Sequence, residues 1–164
     1  MTIGQIVGKT TTKSFNVKLI APAKKREYIQ VKVRDMDVLA TITEIERTSD
    51  QTTANCRVIG QITGTNSLSP LMEAPSPGAD VYLAKGDFID HTLGLSKAKN
   101  GAFLGYLNGY GKIKVGLDLN RFLKSHTAVL AKTGGGKSFC ISTIIEELIE
   151  KKVPILIIDP HGEY

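Results

Sequence analysis

The stretch that decides the fold reads His126-Thr127-Ala128-Val129-Leu130-Ala131-Lys132-Thr133-Gly134-Gly135-Gly136-Lys137-Ser138. Thr127 to Ala131 is a short apolar run, consistent with a buried strand. Residues 131 to 138 then fit the phosphate-loop pattern G-x-x-x-x-G-K-[S/T], with Ala131 where the first glycine usually stands. Gly134, Gly135 and Gly136 let the backbone turn tightly enough for successive amides to converge on phosphate oxygens, at the positive end of the helix that follows. Lys137 then suits the β and γ phosphates and the Ser138 hydroxyl suits Mg²⁺. The helix itself is signalled by Ile141, Ile144, Ile145, Leu148 and Ile149 at helical spacing, with Glu146, Glu147, Glu150 and Lys151 on other faces. Glu147 precedes Lys151 by four residues, a stabilising spacing. Pro154 stops the helix, and Ile155-Leu156-Ile157-Ile158 reads as a second buried strand ending at Asp159. Strand, glycine loop, helix, strand is the opening unit of a parallel α/β sheet.

Upstream the periodicity is different. Phe15, Val17 and Leu19 share one face with Asn16 and Lys18 opposite, and Ile29, Val31 and Val33 alternate with Tyr28, Gln30 and Lys32. Asp35-Met36-Asp37 separates that run from a return strand over Val38 to Ile45. Cys56, Val58 and Ile62 continue the pattern, and Ile113, Val115, Leu117 and Leu119 are its clearest case. With the short runs near Ile3 to Val7, Val81 to Ala84 and Ala102 to Tyr106 there are about eight candidate strands, which predicts a small closed barrel. Gly64 to Gly78, rich in Thr, Ser, Asn, Pro and Gly, is an excursion, and Gly86 to Gly101 carries no assignable pattern. Gly8-Lys9-Thr10 imitates the end of a phosphate loop, but strand-like alternation follows it, so no helix dipole supports it.

Composition narrows the class of protein. At 164 residues, 41% hydrophobic and 23% charged, the chain is neither disordered nor a disulfide-dense scaffold. Its amino terminus has no signal-peptide pattern and no apolar run is long enough to span a bilayer, so a soluble, cytoplasmic protein with no membrane partner is expected. Cys56 and Cys140 form no C-x-x-C pair and are expected to be buried thiols in a reducing compartment. The net charge of +5 permits an anionic partner without requiring one; three of the excess charges lie in residues 1–50, where nine basic residues face six acidic ones. The dense basic run, Lys24-Lys25-Arg26, reads as a solvated loop before a strand. Asp159 is a candidate for orienting Mg²⁺ and Glu163 for polarising an attacking water. His126 and His161 read as packed or hydrogen-bonded histidines.

Taken in order, the strands from Ile3, the segment Leu117-Asp118-Leu119-Asn120, the loop ending in Lys137-Ser138 and the ending Leu156-Ile157-Ile158-Asp159-Pro160-His161-Gly162-Glu163-Tyr164 resemble the archaeal HerA family of the HerA/FtsK superfamily. The A-x-T-G-x-G-K-S loop and the D-x-H-G-E-Y ending carry the likeness most specifically. The resemblance implies a HAS-type β-barrel over residues 1–115, followed over 116–164 by the first strand-P-loop-helix-strand unit of a RecA-like α/β ATPase core. It implies ATP and Mg²⁺ as cofactors, with Thr133, Gly134, Gly135, Gly136, Lys137, Ser138 and Asp159 binding nucleotide, Ser138 and Asp159 serving the metal, and Lys137 and Glu163 serving catalysis. The function it implies is the amino-terminal part of a homo-hexameric, ATP-driven DNA translocase or helicase that acts on double-stranded DNA with a NurA-type nuclease in double-strand break end processing. In that superfamily the Walker B carboxylate pair lies on a later strand and the arginine finger comes from a neighbouring subunit, so these 164 residues alone are expected to bind nucleotide without turning it over. An alternative takes the chain as a β-barrel interaction module for ring assembly or nuclease docking, without ATPase activity. A third reading is another P-loop ATPase with an amino-terminal barrel, against which the H-G-E-Y ending argues.

Overall fold

The computed structural model describes residues 2–62, 68–95 and 101–163. The chain forms two compact units, Met1–Leu93 and Gly94–Tyr164.

The first unit is a closed barrel. Its strands are β1 (Thr2–Val7), β2 (Ser14–Leu19), β3 (Tyr28–Val33), β4 (Met36–Arg47), β5 (Thr52–Ile62), the two-residue β6 (Leu68–Ser69) and β7 (Asp80–Leu83). Six of them close a ring in the order β1-β2-β5-β4-β3-β7, every pair antiparallel. Closure is made by β2 on β5, paired from Ser14 with Arg57 to Leu19 with Thr52, so that neither strand leaves a free edge there. Farther along β5, Gln61 and Ile62 pair instead with Ser69 and Leu68 of β6. The alternation of the sequence becomes the inside of the barrel: Ile3, Ile6, Phe15, Val17, Ile29, Val31, Val38, Ile42, Cys56 and Val81 form one buried cluster. The longest strand, β4, shifts register against β5 between Leu39 and Ala40 and again between Ile42 and Glu44, bulges that bend it around the ring.

Two close approaches depend on glycine. A Cβ on Gly4 would lie 2.3 Å from the Lys18 carbonyl oxygen and 2.8 Å from Val17 Cγ1. One on Gly60, at φ +155°, would lie 2.7 Å from the Ser69 carbonyl oxygen. The β3–β4 turn is Arg34-Asp35, with Arg34 at φ 53°, so Met36 and Asp37 already belong to the return strand rather than to the turn. Gly8, at φ 69°, turns β1 into β2, and no helix follows Gly8-Lys9-Thr10. A helix, α1 (Gly86–Leu93), occupies part of the stretch left without a pattern; its Ile89 is fully buried. Residues 64–67 of the expected excursion and 96–100 of the patternless stretch lie outside the described residues, as does Tyr164 of the carboxyl-terminal motif.

The second unit holds the hairpin β8 (Ala102–Leu107) and β9 (Tyr110–Leu117), joined by Asn108-Gly109 with Gly109 at φ 80°. Among the described residues these strands pair only with each other, so the run from Ile113 to Leu117 belongs to a separate two-stranded sheet and not to the barrel, and Leu119, expected to extend it, opens a helix instead. The chain divides at 93/94, where a break near residue 115 was expected. Asp118 caps the one-turn helix α2 (Leu119–Phe122), its carboxylate accepting from the amides of Asn120 at 2.9 Å and Arg121 at 3.3 Å. The predicted helix is α3 (Lys137–Glu150). It ends through amides of Lys152 and Val153 that donate to the carbonyls of Ile149 and Leu148, with Lys152 left-handed at φ 58° before Pro154. α3 packs on β8, where Ala102 and Leu148 are buried and the Phe103 amide donates to the Glu147 carboxylate at 2.6 Å. Glu147 thus serves the hairpin, a role its spacing from Lys151 did not announce.

Two expected strands do not form. Residues 126–131 and 153–159 carry no ladder among the described residues, and Leu130, Leu156 and Ile158 are 90%, 87% and 84% exposed. A parallel strand is buried only when neighbours pair with it and helices cover its faces, and neither segment has such neighbours here. The loop and helix of the expected α/β unit are present, and its strands are not.

Candidate functional site

The glycine loop lies directly before α3. Gly136 is the cap residue of that helix and is left-handed at φ 80°, as Gly134 is at φ 75°. An amide from Gly135 to the Lys132 carbonyl at 2.8 Å closes the turn between them. A Cβ at Gly135 would stand 2.8 Å from that carbonyl oxygen and 3.2 Å from Ala131 Cβ, so glycine is needed for the turn to keep its shape. Around it is an open pocket of about 510 Å³ lined by residues 131–139 and Glu163.

The structure brings Lys137, Ser138 and Glu163 together. Ser138 Oγ donates to Glu163 Oε2 at 2.5 Å, and Lys137 Nζ reaches the same oxygen at 3.3 Å. Lys137 and Glu163 are 44% and 45% exposed at the side chain, so the pair is open to solvent. The Ser138 hydrogen bond first, then the Lys137 hydrogen bond and charge, hold the Glu163 carboxyl below the usual carboxylate range, against the repulsion of the like-charged Asp159. Asp159 Oδ1 accepts the amides of His161 at 3.2 Å and Gly162 at 3.0 Å, an Asx turn. Gly162, left-handed at φ 69°, then turns the chain so that Glu163 comes back to α3.

A lysine and a serine hydroxyl converging on one anionic oxygen, at a helix start entered through left-handed glycines, form a donor set suited to a phosphate oxygen. The residues present therefore fit a nucleotide's phosphates. Thr133 lines the same pocket. Phe139, 80% exposed, lines it too, and sequence reasoning missed it because the loop pattern ends at Ser138. His126 and His161 are exposed rather than packed. Cys140 is also exposed, whereas Cys56 is buried in the barrel, where desolvation pushes its thiol up to about 12. Among the described residues no helix is long and apolar enough to cross a membrane.

Residues 102–164 match the family described as Helicase HerA, central domain. Over its full length the chain is 32% identical to a probable DNA double-strand break repair helicase HerA of Methanocaldococcus jannaschii, and spans 32% of that relative. It is also 32% identical to the DNA double-strand break repair helicase HerA of Pyrococcus furiosus, over 71% of this chain and 20% of the relative. A DNA translocase FtsK of Leptospira interrogans is 33% identical over 65% of this chain and 11% of its own. The chain thus spans about a third or less of the curated relatives it matches. The central-domain match begins with β8 and the likeness to HerA runs the whole length of the chain, so the chain is similar to the HerA helicases throughout.

Proposed function

We propose that this chain is part of an ATP-dependent DNA translocase or helicase of double-strand break repair, and that residues 131–138 with α3 are its nucleotide site. The observation that carries this reading is the convergence of Lys137 and Ser138 on one anionic oxygen beside the left-handed glycines. In it the amides of Gly134 to Gly136 orient phosphate oxygens, Lys137 neutralises their charge, and Ser138 Oγ ligates Mg²⁺. Bound Mg-ATP supplies the anhydride whose cleavage drives movement. Asp159 serves the metal through water from the turn it organises, and Thr133 adds a hydroxyl at the pocket wall. Glu163 polarises water once its carboxylate is released from Ser138. Leu130, Leu156 and Ile158 then belong to strands of a RecA-like sheet completed by further strands of a longer protein; their exposure as aliphatic residues supports that.

The names of the relatives support DNA as substrate and break repair as setting. Action as a homo-hexamer on double-stranded DNA, with a NurA-type nuclease docked on the barrel, completes the proposal by family resemblance. The barrel-module alternative is favoured by one observation, the closed ring of β1 to β5 and β7, which needs no residue of the second unit to complete it. The test is ATP hydrolysis by the whole protein with and without double-stranded DNA. Stimulation by DNA that is lost in Lys137→Ala supports the translocase, and hydrolysis indifferent to both contradicts it.

A further inference from the structure

We propose that Glu163 is a displaceable internal anion of the phosphate loop, competing with a nucleotide's phosphate for Lys137 and Ser138. This rests on the reading of residues 131–138 as a phosphate loop and concerns how that loop is gated. A single atom, Glu163 Oε2, accepts from Ser138 Oγ at 2.5 Å and from Lys137 Nζ at 3.3 Å. Lys137 Nζ and Ser138 Oγ are the groups that the proposed site gives to phosphate and Mg²⁺, and Glu163 Oε2 stands where those would meet them. The carboxylate and a phosphate therefore exclude one another at this point.

Glu163 reaches the loop by construction and not by chance of sequence neighbourhood, since 25 residues separate it from Ser138. The Asx turn of Asp159 and the left-handed Gly162 fold segment 159–163 back on α3, and the Glu163 side chain becomes one wall of the pocket. The charged groups in the arrangement are Lys137 and, on the return segment, Asp159, whose like charge works against that of Glu163 by repulsion. With both partners of the ion pair nearly half exposed, the contact is of the weak, solvent-screened kind. A triphosphate, with more charge and more acceptor oxygens, displaces it. The apparent affinity for nucleotide is then reduced by the fraction of molecules in which Glu163 holds the donors. Its displacement also frees a carboxylate at the edge of the pocket, so that occupancy of the loop and release of Glu163 become one event.

The test is equilibrium binding of Mg-ATP, by titration calorimetry, to the 164-residue chain and its variants Glu163→Gln, Glu163→Ala and Lys137→Ala, each checked for fold by circular dichroism. Removing the charge is expected to tighten binding roughly two- to fivefold in both Glu163 variants, the size expected for an exposed pair. Unchanged or weaker binding by both, with binding lost in Lys137→Ala, overturns the competition while leaving the phosphate loop standing. Binding by Lys137→Ala as tight as by the unsubstituted chain overturns the phosphate-loop reading itself, as does the absence of binding in every form.

Discussion

The backbone amide of Phe103 donates to the carboxylate of Glu147 at 2.6 Å, tying the first strand of the hairpin to the last turn of α3 across 44 residues. That bond holds the helix that begins at the phosphate loop against the sheet beside it. A hydrogen bond to a charged acceptor contributes about 1.5–3 kcal/mol, less where solvent competes. Glu147→Ala is therefore expected to destabilise the second unit by about 1 kcal/mol and to leave the barrel untouched. Amide exchange followed by mass spectrometry checks this: faster exchange over 102–107 and 140–150 with unchanged protection over 2–62 is the expected pattern.

Gly4 is where the barrel has no room. Its added Cβ would meet backbone, the Lys18 carbonyl at 2.3 Å, and not a flexible side chain that can swing away. Overpacking of this kind costs about 1–3 kcal/mol. Gly4→Ala is expected at the upper end, because β1 must part from β2. Gly8→Ala in the adjoining turn meets nothing within 4 Å and is strained only through its φ of 69°, so it should cost less. Urea melts of the two variants give the comparison, and the order of their midpoints decides it.

The two cysteines are expected to differ in reactivity. Cys140 is exposed on α3 and should react with a maleimide or aromatic disulfide within minutes at neutral pH, while Cys56 should react only on unfolding. Burial also sets a pH dependence. The Cys56 thiol ionises near 9.0 in the unfolded chain and at about 12 in the folded one, so between those values the unfolded state binds fewer protons. Stability of the barrel should thus be intact below about pH 9 and fall as the pH rises through 12. Denaturant midpoints from pH 8 to pH 11 for the unsubstituted chain and for Cys56→Ala measure this, with the decline expected to be shallower in the variant.

Much of the fold was legible because half-buried strands must alternate. Phe15, Val17, Ile29, Val31 and Val38 could be placed inside from their spacing alone, and all are buried. Alternation says nothing about which strand pairs with which, and so the β8–β9 hairpin was grouped with a barrel it does not join. The runs 127–131 and 155–158 announce apolar side chains that need burial, but the sheet that would bury them depends on other strands. Helix α1 was illegible because eight residues make only two turns, in which Phe88, Ile89 and Leu93 are too few to mark a helical period. In the candidate site the loop glycines, Lys137 and Ser138 were readable from local spacing. The seating of Glu163 on Ser138 was not, because it depends on an Asx turn and a left-handed glycine that reverse the chain over four residues.

The central claim is that residues 131–138 bind the phosphates of a nucleotide. Amide hydrogen exchange of the 164-residue chain with and without saturating Mg-ATP tests it most directly. The account predicts new protection confined to 131–140, where the Gly134 to Gly136 amides and the start of α3 meet phosphate, with none over β1 to β5. Protection that appears in the barrel instead, or nowhere, would contradict it.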